Sequence, residues 1–423
     1  MNIGSVNMTA EIIVKNPVAC ALAADSAMTM TGGNSGTVKI FNNAEKIYQL
    51  SKHYPVGLMV YNNADFCGTP WELSIRSFRK LHGHEEHSTI RDYLNSFLSF
   101  LNSTYNITSI AKREAKLKEI FRRYLKLNYD DLSQKTLHVA LPESDEEALN
   151  IIHQRLANFY ASENEFLERN PFFEGFDESD VINAREFVIN NYLQIALDIF
   201  PNNGDLPEHL KTQLINFFTF IICKENVTSL YSGLVFAGFG SDEYYASIIT
   251  IQIYGSFNNK VMYKIIHGKC SKSDPDNSVI IPFASEDEVF TFVRGFNNSI
   301  INFMGNTVSQ LSNVILENLR ERGVNDEISE QKLISLKDDI IDRVQRYCDE
   351  NFTQKVTNML TSLSKKDLSY MAESLVNLSA FKLKISDSYE TVGGPIDVAI
   401  ISKTDGFVWI KRKLYFDKNL NNN

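Results

Sequence analysis

The first sixty residues alternate between short, nearly uninterrupted apolar runs and tight polar breaks. Met8-Thr9-Ala10-Glu11-Ile12-Ile13-Val14-Lys15 leads through Asn16-Pro17 into Val18-Ala19-Cys20-Ala21-Leu22-Ala23-Ala24-Asp25-Ser26. Two runs rich in β-branched or small residues, joined by Asn-Pro, predict a buried hairpin. Lys46-Ile47-Tyr48-Gln49-Leu50 and Val56-Gly57-Leu58-Met59-Val60-Tyr61, broken by Ser51-Lys52-His53, predict a third and a fourth strand. This pattern puts Thr9 at the head of one strand, Asp25 at the end of the next and Lys46 at the start of a third. A hydroxyl, a carboxylate and an ammonium thus fall on adjacent strands within one small region.

After Asp65 the period changes from strand to helix. Thr69-Pro70-Trp71-Glu72 reads as a helix start, with Thr69 as cap, Pro70 in the first turn and Glu72 completing a capping box. Apolar residues three and four apart predict helices over 90–105, 110–127, 146–168, 179–200 and 207–223. The most apolar of these stretches, 214–223, contains Asn216 and Thr219 and is far below the ~20 residues needed to span a bilayer, so burial in the core is expected. A second helical expansion runs over 285–379. There Phe290, Phe292, Val293, Phe296, Ile300, Ile301 and Phe303 predict one amphipathic helix, and 308–322 and 333–361 predict longer ones. Such stripes are more often core than partner surface.

Composition narrows the class. A chain of 423 residues, 43% hydrophobic and 22% charged, is globular rather than disordered and long enough for two or three domain-sized units. The formal net charge of −10 argues against a nucleic-acid or anionic-membrane surface. Cys20, Cys67, Cys223, Cys270 and Cys348 lack paired short spacings, which predicts neither a disulfide framework nor a zinc ribbon and fits a reducing cytoplasm. No targeting or membrane-spanning segment is expected.

The Met8–Asp65 block resembles the N-terminal nucleophile hydrolases, and within them the proteasome β-subunit-like and HslV-like threonine peptidases. Members begin the mature chain with Thr, reach an Ala-Ala-Asp-Ser run at the spacing seen from Thr9 to Asp25, and place another Thr where Thr29 stands. Lys46, the Val56 to Tyr61 run and the pair Ala64-Asp65 follow in the family's order. Gly233-Leu234-Val235-Phe236-Ala237-Gly238-Phe239-Gly240-Ser241 resembles a later family strand ending in Gly-x-Gly-Ser. Thr391-Val392-Gly393-Gly394-Pro395-Ile396-Asp397-Val398-Ala399-Ile400-Ile401, the turn Thr404-Asp405-Gly406 and Phe407-Val408-Trp409-Ile410 resemble the closing Gly-Gly and two-strand hairpin. The family's further Asp and Ser before that Gly-Gly pair do not map onto this chain, where Val392 stands at the serine position.

The resemblance implies an α+β chain folded as a four-layer αββα sandwich made of 9–80, 227–300 and 375–416. Helical insertions are expected at 81–226 and 301–374, which would cap the mouth of a cleft. It also implies hydrolysis of an amide bond, in a peptide or a small molecule, through an acyl-enzyme on Thr9. A threonine hydroxyl needs a base, and an N-terminal amine, with an unperturbed pKa of about 7.7–8.0, lies nearer neutrality than a lysine at about 10.4. Lys46, kept charged by Asp25, would depress the pKa of neighbouring groups. Ser241 would support the amine, or alternatively cap a helix over 241–243. The backbone NH at Tyr61 would stabilise the oxyanion, with the Tyr61 side chain narrowing the cleft.

Exposure of the Thr9 amine is expected through translation from Met8 and removal of that methionine, since autocleavage in this family usually follows a glycine. No metal or organic cofactor is required. The resemblance further implies self-assembly, with a protein partner docked on the helical inserts as an alternative. The competing functional reading is a non-catalytic scaffold.

Three further motifs point to chemistry less strongly. His82-Gly83-His84-Glu85-Glu86-His87 holds three imidazoles, but not at the His-Glu-x-x-His spacing, and reads as a solvated loop. Thr31-Gly32-Gly33-Asn34-Ser35-Gly36 lacks the Lys-Ser/Thr ending of a phosphate loop and reads as a flexible excursion. Gly238-Phe239-Gly240 lacks the third glycine and the acid of a dinucleotide site.

Overall fold

The computed structural model of the chain describes residues 10–31, 38–104, 107–139, 144–197, 199, 206–226, 230–283, 286–322, 327–385 and 393–414. It is a mixed α+β structure with antiparallel sheets. The strands β1 (Glu11–Lys15), β2 (Ala19–Ala24), β3 (Met28–Thr31), β4 (Val38–Phe41), β5 (Ile47–Gln49), β6 (Val56–Asn62), β7 (Asp65–Phe66) and β8 (Thr69–Pro70) come first. Helices α1 (Trp71–His82), α2 (Ile90–Ser103), α3 (Ile110–Val139), α4 (Asp145–Arg169), α5 (Glu178–Leu197) and α6 (Glu208–Cys223) follow. Then come β9 (Ser232–Gly238), β10 (Ser247–Phe257), β11 (Lys260–Ile265) and β12 (Val279–Pro282). Helices α7 (Glu286–Arg294), α8 (Asn298–Glu321), α9 (Glu327–Cys348), α10 (Gln354–Thr361) and α11 (Lys365–Ile385) precede the closing β13 (Asp397–Ser402) and β14 (Gly406–Lys411).

Contacts divide the described residues into two compact units, one holding Asn62–Phe236 and Ile249–Cys270, the other Ala10–Tyr61, Ala237–Ile248 and Ser271–Leu414. The division falls inside β6, β9 and β10. The expected boundary at 374/375 lies within α11.

In the second unit a five-stranded sheet has the order β12-β1-β2-β13-β14. The expected hairpin is β1 against β2, with Glu11 opposite Ala24 and Lys15 opposite Cys20. Asn16 makes the turn: its Oδ1 accepts from the Val18 and Ala19 amides, and its Nδ2 donates to the Leu360 and Leu363 carbonyls. Because side chains alternate along a strand, Ala10, Ile12 and Val14 of the β1 segment and Ala19, Ala21 and Ala23 of β2 share one face. They pack against Val289 and Val293 of α7 and Leu368, Ala372, Leu375 and Val376 of α11. The alanines let α11 lie close on the sheet.

The opposite face meets the β5–β6 pair. A Cβ on Gly57 of β6 would lie 2.7 Å from Ile401 Cδ1 of β13 and 3.0 Å from Phe407 Cε2 of β14, so glycine is what allows this close approach. Both faces of β1 and β2 are therefore covered, and every residue of both strands is buried.

In the first unit α3, α4, α5 and α6 pack around Phe121, Tyr160, Phe217 and Phe218. Tyr254 and Phe257 of β10 and Met262 of β11 join the same core. The 214–223 stretch is buried as expected. Phe97 of α2 meets Phe236 of β9 edge-on at 5.6 Å.

Two local expectations are corrected. Thr69 does not cap α1: it lies in β8, the cap position is Pro70 without a side-chain bond, and the Thr69 hydroxyl donates to the Ile107 carbonyl. The stripe from Phe290 to Phe303 is two helices rather than one. Gly295 adopts φ +80° against the Phe352 ring, where a side chain would be strained, and Asn297 then caps α8 by accepting from the Ile300 amide. The predicted 333–361 helix lies within a longer run formed by α9, a π-helical turn over Asp349–Thr353, and α10.

Candidate active site

Asp25 immediately follows β2 and Lys46 immediately precedes β5. Lys46 Nζ lies 2.6 Å from Asp25 Oδ1, with the lysine side chain 9% and the carboxylate 1% exposed. The carboxylate is tied to the backbone on both sides: Ala10 N donates to Oδ1 at 3.2 Å, and Gly393 N to Oδ2 at 3.0 Å. Asp25 N returns a bond to the Ala10 carbonyl at 3.1 Å. The Gly-Gly segment is thereby held against the end of the first hairpin. Ser26 Oγ also donates to the Pro395 carbonyl, at 2.5 Å.

A third charged group was not foreseen. Glu11 of β1, fully buried, places Oε1 2.9 Å from the same Lys46 Nζ. Burial is the largest influence on Lys46 and favours the neutral amine, but Glu11 and Asp25 together outweigh it and hold the pKa above the ordinary 10.5. At an effective dielectric near 20 each contact pair attracts by about 4 kcal/mol, which works against a desolvation cost of several kcal/mol for each buried ion. The two carboxylates thus favour the charged form of Lys46.

The remaining candidates fall as follows. Thr9 lies outside the described residues, as does the Thr31–Gly36 excursion beyond Thr31. Thr29 is in β3 opposite Ile40. Tyr61 ends the buried run of β6, 4% exposed, with its ring 5.2 Å from that of Phe283. Phe283 N in turn donates to the Glu11 carbonyl, so the tyrosine ring sits beside the strand that carries the charge cluster.

Ser241 is exposed in a turn, not a helix, and its Oγ lies 3.4 Å from Asp242 Oδ1. Its carbonyl accepts from Lys403 Nζ at 3.2 Å. His82 and Glu85 pair at 2.8 Å where α1 ends. No group of metal-binding side chains occurs among the described residues. The five cysteines are free.

Lys15, at the far end of β1 from Glu11 and on the same face, is a second buried cation missed in the sequence. Its Nζ donates to Ser271 Oγ at 2.8 Å and to the Lys272 carbonyl at 2.7 Å. Burial lowers its pKa from 10.5 to about 8, against weaker opposing pulls from Cys20, Asp274 and Glu243. The folded chain therefore binds fewer protons than the unfolded chain between about pH 8 and 10.5, and this residue makes stability rise with pH across that window. Lys15→Met should erase that rise and leave stability at pH 7 unchanged or improved by about 1 kcal/mol. Urea unfolding at pH 7, 8.5 and 10 checks it; an unaltered slope would show that Lys15 is already neutral or not buried.

Neither models of known protein families nor the curated proteins include a match to this chain. No helix among the described residues is long and apolar enough to cross a membrane.

Proposed function

We propose that this chain is an N-terminal nucleophile hydrolase of the proteasome-like kind, a four-layer αββα sandwich with helical insertions, cleaving an amide bond through an acyl-enzyme on Thr9. One observation carries the reading. The buried Lys46–Asp25 pair lies at the head of the hairpin, and Asp25 accepts from the amide of Ala10, the residue that follows Thr9. A carboxylate anchored one residue from the nucleophile, and an ammonium anchored to that carboxylate, are the parts that a threonine using its own amine would need.

In the first step the Thr9 amine takes the hydroxyl proton as Oγ attacks the substrate carbonyl. The tetrahedral oxyanion is met by backbone amides at the end of β6 near Tyr61. Collapse expels the amine product, protonated by the Thr9 ammonium, and water then hydrolyses the ester. The charge of Lys46 keeps the Thr9 amine unprotonated nearer neutrality. A peptide or a small amide fits this chemistry, and the cytoplasm suits its free cysteines.

Tyr61 favours a second reading, a scaffold without catalysis whose helical inserts bind a protein. The family places glycine there, whereas here a buried ring fills space beside β1. Mass analysis of the native N-terminus separates the two: a chain beginning at Thr9 supports the hydrolase, and one retaining the preceding residues leaves Thr9 no free amine. In a chain that does begin at Thr9, an electrophilic threonine-directed inhibitor should add one equivalent, and Thr9→Ala should add none. Equal labelling of the alanine variant would remove Thr9 from the mechanism.

A further inference from the structure

Glu11 stands in a strand whose residues are all buried, opposite Ala24, the neighbour of Asp25. The two carboxylates thus reach the Lys46 ammonium from adjacent strands, at 2.9 Å and 2.6 Å. One carboxylate is enough to pair the lysine; the second adds a desolvation cost that an apolar side chain would not. What the second carboxylate adds is position. An ammonium sits on a freely rotating stem, and contact with two carboxylates carried by two strands confines it to one place between them.

We propose that Glu11 is a positioning residue of the Thr9 hydrolase site: with Asp25 it grips the Lys46 ammonium from two sides, so that Lys46 serves as a fixed cation and not as a proton carrier. The proposal rests on the hydrolase reading for its chemical purpose, but the grip itself is measurable apart from turnover. The charged groups facing Lys46 Nζ are Glu11 from β1 and Asp25 from the end of β2.

The test is a titration of the intact chain, carrying lysine labelled with ¹³C at Cε, followed by nuclear magnetic resonance. The Lys46 signal should stay that of an ammonium beyond pH 10.5, and a midpoint below that value overturns the proposal. Glu11→Gln keeps the size and an acceptor oxygen but removes the charge. It should bring the midpoint down by about 1–3 pH units. An unchanged midpoint overturns the grip.

With an active wild type, Glu11→Gln should lower kcat at unchanged KM and move the alkaline limb of kcat down with the Lys46 midpoint. A purely structural glutamate would leave the shape of that profile alone, which also overturns the proposal. If the wild type shows no turnover, the titration still decides the grip, and the missing turnover counts against the hydrolase reading.

Discussion

Lys46→Met is expected to cost the fold about 3–5 kcal/mol at neutral pH, because it strips the cation from a cluster that holds two buried carboxylates. Glu11 and Asp25 are 0% and 1% exposed at their side chains, and removing Lys46 takes away the ammonium that contacts both. Breaking a buried ion pair by removing one partner is strongly destabilising.

The contribution of Lys46 in the wild type should be the same at pH 5 and pH 8. The folded pKa of Lys46 is raised, so its contribution is complete below 10.5 and fades only as pH climbs through the higher folded value. Urea unfolding at pH 5 and pH 8 measures both effects. Lys46→Met should be far weaker than wild type at both pH values, and partly restored by adding Glu11→Gln. A variant as stable as wild type at pH 8 would mean that the cluster is solvated, and the electrostatic account of the site would fail. Threonine labelling should be lost with the cation even at the lower pH.

The Asp25–Lys46 pairing was legible in the sequence because each residue terminates an apolar run, and strand ends are where short runs and tight turns fix a side chain's place. Glu11 and Lys15 were not legible for a related reason. In Glu11-Ile12-Ile13-Val14-Lys15 the charges look like the solvated ends of an apolar core, and only coverage of both sheet faces buries them. Their separation of four residues, which puts both on one face of a strand, was the available signal. Glu11 found a partner at the head of the hairpin and Lys15 at its foot.

The helical segments followed the same division. The periodic interiors of α4, α5 and α6 match the expected ranges to within three residues at either end. Their ends depend on local backbone geometry. Thr69 was drawn into a two-residue β-bridge instead of a cap, while Thr89 caps α2 with a full capping box to Asp92. In the Phe290–Phe303 stripe the apolar residues recur on both sides of Gly295, so periodicity could not reveal the break. The positive φ of Gly295 and the cap at Asn297 make it.

Gly238→Ala should be nearly as damaging as loss of Lys46, and through backbone rather than charge. Gly238 ends β9 at φ +139°, and a Cβ there would lie 2.0 Å from the Pro55 carbonyl oxygen. That oxygen belongs to the main chain and cannot rotate aside. It also accepts from Phe239 N at 3.0 Å, so moving it breaks a bond to a buried residue. The strained backbone conformation and the clash together should cost about 3 kcal/mol or more.

The consequence reaches the site because Pro55 leads directly into β6, whose Val60 amide donates to the Lys46 carbonyl at 2.8 Å. Shifting the start of that strand loosens the residue that positions the ammonium. Gly268→Ala is the control, since a Cβ there meets nothing within 4 Å and the change should stay within about 0.5 kcal/mol. Thermal unfolding of both variants and hydrogen exchange at the Val60 amide provide the comparison. If Gly238→Ala unfolds with Gly268→Ala and the Val60 amide is equally protected in each, the close approach at Pro55 is not a constraint. The glycine in Gly238-Phe239-Gly240 would then need another explanation than the packing of two backbones.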